Sequence, residues 1–234
     1  MRSYPLVSAM MLLAVVMPPS AWAQSGNNDF VDPIALYGNR AHYVILRNGQ
    51  QVGHHVITFD RQGDTTIVQT RADIEIPFLF LTGYRFDYQS KSVWSGRTLE
   101  SLTATTDDDG DKSVVEITRK DKALVVAGPS GTMILDRQLL PTEHWSIAFV
   151  QDDEVLNTIT GHVNRITKTG LASAFVPAAN GIIRANRYRL DGDIRLETWY
   201  DNEGRWLGMR FAGEDGSLIE YRCRDCPAQV ARAE

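Results

Sequence analysis

The chain has 234 residues, 43% of them hydrophobic, with 24 Lys and Arg against 29 Asp and Glu, a formal net charge of −5. An acidic balance without a basic run excludes nucleic acid as a partner and argues against electrostatic docking on anionic lipid. Two cysteines cannot staple a chain of this size, so its stability must come from a hydrophobic core, which the length allows.

Arg2 is followed by an apolar run from Leu6 to Met17, broken only by Ser8, and Ala21-Trp22-Ala23 then offers a small-x-small cleavage site before Gln24. This is the layout of a cleavable secretory leader over residues 1–23. The run is shorter than the roughly 20 apolar residues that span a bilayer, and no later stretch reaches that length. The expectation is a soluble periplasmic protein, not integral to the membrane and not lipid-anchored, since no cysteine sits near the cleavage point. Residues 24–41, with Ser25-Gly26-Asn27-Asn28, read as a loose N-terminal arm, and 42–234 as a single all-β domain.

From His42 onward short strands alternate with turns. Tyr43 to Arg47 leads into Asn48-Gly49, a hairpin signal because both turn positions need positive φ. Val52 to Phe59 returns, with His54 and His55 on opposite faces, which prevents that pair from chelating one ion. Further turns are marked at Arg61 to Asp64, Asp107 to Asp111, Gly128 to Gly131, Asp201 to Gly204 and Glu214 to Gly216.

Ile74 to Tyr88 is the most unusual stretch. Ile74, Ile76, Phe78, Phe80, Tyr84, Phe86 and Tyr88 share one parity, while the other is polar at both ends but turns apolar at Pro77, Leu79 and Leu81. Both faces are therefore apolar over Pro77 to Leu81, and both need cover. Each aromatic side chain presents about 150–250 Å², so this cluster left in water would exceed the patch an ordinary monomer tolerates. Pro77 and Gly83 bracket the run and suit a bend or edge. The cover is the protein's own core, an apolar ligand such as an acyl chain, or another protein.

Pro141-Thr142 before Glu143-His144-Trp145 predicts a helix reaching about Gln151, although Ile147 to Val150 would also suit a strand. The last section alternates strictly: Tyr188, Leu190, Ile194, Leu196 and Tyr200 against Arg189, Asp191, Asp193, Arg195, Glu197 and Asp201. Such alternation means antiparallel strands with one wet face, where Arg189, Arg195, Arg210 and Arg222 pair with Glu197 and Glu220.

Cys223 and Cys226 close the last strand. Three residues of extended chain span roughly 10 Å, beyond the reach of a disulfide, so a bond here requires the chain to turn at Arg224-Asp225. A structural disulfide is the expectation. A redox centre would want a helix beginning at the first cysteine, and Pro227 follows the second. Thr105-x-Asp107-x-Asp109-Gly110 with Glu116 imitates a calcium loop, but its first ligand is Thr and its flanks are strands. No G-x-S-x-G or H-E-x-x-H occurs, so neither a catalytic motif, a metal site nor a cofactor is indicated.

Tyr43-Val44-Ile45, Val52 to Phe59, Trp199-Tyr200-Asp201 with Gly204-Arg205, and Asp215-Gly216-Ser217-x-Ile219-x-Tyr221-x-Cys223 together resemble a family of exported bacterial proteins of unknown function. The resemblance implies an architecture similar to periplasmic lipoprotein carriers of the LolA/LolB type, a strongly curved antiparallel sheet over an apolar cavity. The chain differs from those carriers in its terminal C-x-x-C, its lack of a lipobox cysteine and its single predicted helix.

The fold expected is mainly β, one strongly curved antiparallel sheet or incomplete barrel with one or two short helices. The function expected is non-catalytic binding or carriage of an apolar small molecule or lipid, with Phe78, Leu79, Phe80, Leu81, Tyr84 and Trp145 on or over the site. The alternatives are a structural or partner-binding envelope protein without a ligand, and a periplasmic enzyme, using a histidine such as His144, or a thiol-redox protein.

Overall fold

The computed structural model describes residues 32–78, 81–178 and 181–226; the expected leader, residues 24–31 of the arm, and 227–234 lie outside the described residues. A short helix, α1 (Pro33–Tyr37), precedes fifteen strands: β1 (Arg40–Arg47), β2 (Gln50–Gln62), β3 (Thr65–Phe78), β4 (Leu81–Ser95), β5 (Thr98–Asp108), β6 (Asp111–Lys120), β7 (Ala123–Gly128), β8 (Gly131–Leu135), β9 (Leu140–Pro141), β10 (Glu154–Leu156), β11 (Val163–Ala178), β12 (Gly181–Gly192), β13 (Leu196–Tyr200), β14 (Trp206–Ala212) and β15 (Leu218–Cys223).

All fifteen belong to one curved, unclosed sheet in the order β8-β7-β6-β5-β4-β3-β2-β1-β15-β14-β13-β12-β11-β10-β9. Every neighbouring pair is antiparallel except β9 with β10. The first strand therefore stands at the centre, and the last strand is its neighbour, with Tyr43 opposite Cys223.

The turns follow from local chemistry. Asn48 and Gly49 adopt φ of 48° and 83°, and Asp109 and Gly110 adopt 51° and 102°, the left-handed conformations these residue types tolerate best. Asn48 also reaches outside its hairpin: its amide nitrogen donates to the Leu218 carbonyl at 2.8 Å, and its side chain accepts from the Leu218 amide at 2.9 Å. The calcium-loop imitation is this β5–β6 hairpin turn, with the Gly110 amide bonded to Asp107.

Two residue ranges depart from expectation. The arm is ordered from Asp32, whose side chain caps α1 by accepting from the Ile34 amide, and β1 already begins at Arg40. The helix expected over 143–151 is reduced to a 3-10 turn, Ile147–Val150. Its carbonyls have other partners: Tyr200 donates to the His144 carbonyl at 3.1 Å and Tyr37 to the Trp145 carbonyl at 2.7 Å. Tertiary bonds of this kind hold the segment in a shape that a helical ladder would break.

This excursion between β8 and β11 fills the curve of the sheet. Trp145 meets Trp94 of β4 edge-on at 5.7 Å and Phe59 of β2 at 5.9 Å, while His144 stacks on Trp206 of β14. It thus touches strands from both halves of the sheet. Trp94, Trp145, Trp206, Tyr43, Tyr200 and Phe149 are the largest fully buried side chains. Side-chain bonds span the gap between the sheet's ends: Ser113 donates to the Ile159 carbonyl, Ser130 to the Thr160 carbonyl and Tyr88 to Thr158.

Candidate functional site

The strand register places the two longest hairpins at opposite ends. Ile45 pairs with Gly53 and Gly53 with Ile74, so β3 continues four residues past the level of Ile45, while β1 stops two residues past it. Successive antiparallel pairings send the tip of β11–β12 the other way. β13 ends at Tyr200, opposite Asn186, so β12 residues before Asn186 pair with β11 alone.

Leu79 and Phe80 lie outside the described residues, as do the side chains of Phe78, Leu81 and Thr82. The backbone around them forms the β3–β4 tip, with Phe78 opposite Leu81 and a register shift between Ile76 and Pro77, the bend that the proline foretold. Tyr84 sits below the tip, half-buried, donating its hydroxyl to Asp108 at 2.7 Å; partial burial and that carboxylate raise its pKa. Trp145 is not near this tip's exposed surface. It is buried in the core, 2% exposed, among Phe59, Trp94 and the Glu143 carboxylate.

The second tip went unnoticed in the sequence. On β11–β12 the directly opposed pairs Phe175–Arg184 and Pro177–Ile182 share one face, and all four residues are exposed. Phe175 is 73% and Ile182 65% exposed, while Ile183 and Ala185 on the opposite face are buried. Arg184 has no ion-pair partner among the described residues. The signal lay in Pro177 and Gly181, which bracket this tip as Pro77 and Gly83 bracket the first, without a comparable apolar run between them.

Three depressions mark the surface, and all three are open. One of about 800 Å³ is lined by charges of both signs, with Glu154 held by Arg137 and Arg165. Another of about 660 Å³ lies over the polar outer face of β2–β5, between residues such as Thr58, Gln69, Arg71 and Lys91. A crevice of about 220 Å³ borders Tyr37, His42, Arg205 and the cysteine pair. His144 lines none of them.

The cysteines form the expected disulfide, with Cα atoms 5.7 Å apart because the chain turns at Arg224-Asp225. The Arg224 amide donates to the His42 carbonyl at 2.8 Å, which carries the β1–β15 ladder one step into the turn. Of the pairs expected on the outer sheet face, Arg210 holds Glu197 and Arg222 holds Glu220, each at 2.9 Å; Arg189 turns instead to Asp191 at 3.0 Å, and Arg187, not foreseen, shares Glu197.

The interior holds three titratable groups without counter-ions. Burial lowers the pKa of His55 to about 3 and of His144 to about 4. Burial also raises that of Glu143, whose carboxylate accepts from Ser90, Ser92 and Trp145. These groups sit in packed interior, so they serve to place the excursion against the sheet.

A model for a domain of unknown function, DUF6134, matches residues 43–224. The chain belongs to the DUF6134 family. Its fold is similar to that of a crystal structure described as a beta-barrel-like protein of domain of unknown function DUF1849 from Brucella abortus, with a TM-score of 0.55 and 11% identity over 79% of this chain and 94% of that one. At that identity the likeness shows the fold alone. No curated protein matches the chain.

Proposed function

We propose that this DUF6134 protein is an exported, non-catalytic binding protein that takes up the acyl portion of a lipid on its hairpin tips. The observation that carries the reading is the outward face of the β11–β12 tip, where Phe175 and Ile182 stand 73% and 65% exposed beside each other's strand. The first tip adds Phe78, Leu79, Phe80 and Leu81 by sequence. Withdrawing each large apolar side chain from water contributes about 1.5–3 kcal/mol, enough for a useful surface affinity from two or three of them. The curve of the sheet is filled by Trp94, Trp145 and Trp206, which directs the proposal to the tips rather than to an internal cavity.

Support for export comes from the leader-like segment 1–23 and from the disulfide, which persists in an oxidising compartment such as the periplasm. With a net charge of −5, attraction to anionic head groups is not what drives docking. The test is flotation with zwitterionic phosphatidylcholine vesicles. Wild-type protein should float, the Phe175→Ser/Ile182→Ser variant should float less, and a variant that adds Phe78→Ser/Phe80→Ser should lose about tenfold or more in partitioning, each with its melting temperature unchanged. Wild-type protein that stays wholly in the aqueous fraction would sink the proposal.

A second reading, a partner-binding envelope protein, is favoured by β8. This edge strand of the described sheet carries Ile134 at 72% exposure, the arrangement a partner strand could extend.

A further inference from the structure

We propose that His42 and His54 form a two-histidine site for a divalent transition metal of tetragonal preference, copper(II) above all, on the outer face of β1–β2. The two residues are diagonal neighbours, since His42 pairs with Val56 and His54 with Val44. That places both imidazoles on one face, with His42 Nε2 and His54 Nδ1 3.0 Å apart. His55, the sequence neighbour of His54, points the other way into the core.

The geometry has the form of a ligand set. A metal–imidazole bond is about 2.0–2.1 Å, so two adjacent ligands at a right angle hold their nitrogens about 2.9 Å apart, and two in a tetrahedron about 3.3 Å apart. The observed 3.0 Å fits the right angle, the arrangement of tetragonal copper(II) and nickel(II), and copper(II) binds nitrogen donors most tightly in the divalent series.

Both rings are also held from behind, as metal-bound imidazoles are. Asp225 Oδ2 faces His42 Nδ1 at 3.8 Å, and the Gln51 side-chain amide lies 3.0 Å from His54 Nε2. With a proton on His42 Nδ1 toward Asp225, and the Gln51 amide turned to accept from His54 Nε2, the two facing nitrogens, which otherwise share one hydrogen bond, both carry lone pairs for a metal. The charges nearby are of both signs: Arg40 and Arg224 flank His42, while Asp225 stands behind it and Asp73 sits directly opposite His54 on β3. The rest of the coordination sphere is left to water, because the described residues bring no third His, Cys, Asp or Glu into ligating position.

The experiment is titration of tag-free protein with copper(II), nickel(II) and zinc(II) in a glycine-buffered calorimeter, with electron paramagnetic resonance on the copper form exchanged into a glycine-free, non-coordinating buffer. The expected result is one copper per chain, a two-nitrogen hyperfine pattern, and weaker binding of nickel and zinc. His42→Gln and His54→Gln should each weaken copper binding about 30-fold or more. Asp225→Asn should weaken it about tenfold through the ring it orients, and the exposed His162→Gln should leave it unchanged. The spectrum of the unmutated protein stands even if a variant fails to fold. Copper bound through one nitrogen, or bound equally well by both pair variants, would overturn the assignment, as would tighter binding of zinc than of copper.

Discussion

The imidazole of His144 lies against the indole of Trp206, with ring centroids 5.1 Å apart and planes 18° from parallel. His55 meets the same indole edge-on at 5.5 Å, so one tryptophan on β14 is shared by a histidine of the excursion and a histidine of β2. Both imidazoles are buried and neutral, and that sets how the fold responds to acid.

Below the ordinary histidine value of 6.5 the unfolded chain protonates both rings, while the native protein holds His144 neutral to about 4 and His55 to about 3. Stability is therefore full above pH 6.5 and falls as pH drops toward those values. Each histidine contributes a slope of about 1.4 kcal/mol per pH unit inside the window. Glu143 works against them: its pKa is raised, so the native state keeps a proton that the unfolded chain loses above 4.5. Two groups outweigh one. Urea midpoints measured between pH 7 and 5 should fall, and His144→Phe should flatten the slope by one histidine's share, at least half of it.

Glu143 can be tested separately. Leucine at this position would strip the hydroxyls of Ser90 and Ser92 of the carboxylate they bond, at 3.2 and 3.0 Å. Orphaned buried hydroxyls cost about 1–3 kcal/mol. Glu143→Leu should lower chemical stability by that amount, whereas Glu143→Gln, which keeps an acceptor, should lose less. Equal losses in equilibrium unfolding would count against a hydrogen-bonding role.

Reduction of the Cys223–Cys226 bond should be tolerated but measurable. The loop it closes is short, and the chain-entropy account gives about 2 kcal/mol for a closure of this size. The Arg224–His42 backbone bond remains to hold the turn. Guanidinium unfolding with and without a reductant should differ by about this much, and a Cys223→Ser/Cys226→Ser variant should match the reduced protein.

Gly208 has no room for a side chain. A Cβ there would lie 2.0 Å from the Tyr221 carbonyl oxygen, at a φ of 144°. Gly208→Ala should cost about 3 kcal/mol or more, the upper end for overpacking. Gly170→Ala, with nothing within 4 Å of the added atom, should be close to neutral. Thermal melts of the pair make the comparison.

The parts of this fold that were legible in the sequence are those fixed by local stereochemistry. Asn48-Gly49 and Asp109-Gly110 announce their turns because few other residues accept those φ values, and Leu196 to Tyr200 announces a strand through its alternation. The disulfide was legible from the exported setting of the cysteine pair, and its reach then required the turn at Arg224-Asp225. What distant partners decide was hidden. His144 and Trp145 carry good helix-start signals, yet their carbonyls are claimed by Tyr200 and Tyr37 from far along the chain. Trp145 looked like a cavity residue because nothing local reveals that Trp94 stands against it. The meeting of His42 with His54 depends on a diagonal register across two strands, and the exposure of Phe175 on where β13 stops.

Because Leu218–Cys223 is the neighbour of the central strand, this late segment is a keystone and not a border. Premature termination ahead of Leu218 would split the sheet down its middle into two groups of strands, each with a raw edge. Loss of Gly131–Leu135, at the true margin, would trim a single rung. Truncations just ahead of Leu218 are therefore expected to be far more damaging than loss of that margin, and synthesis of Leu218–Cys223 becomes the event that joins the two halves.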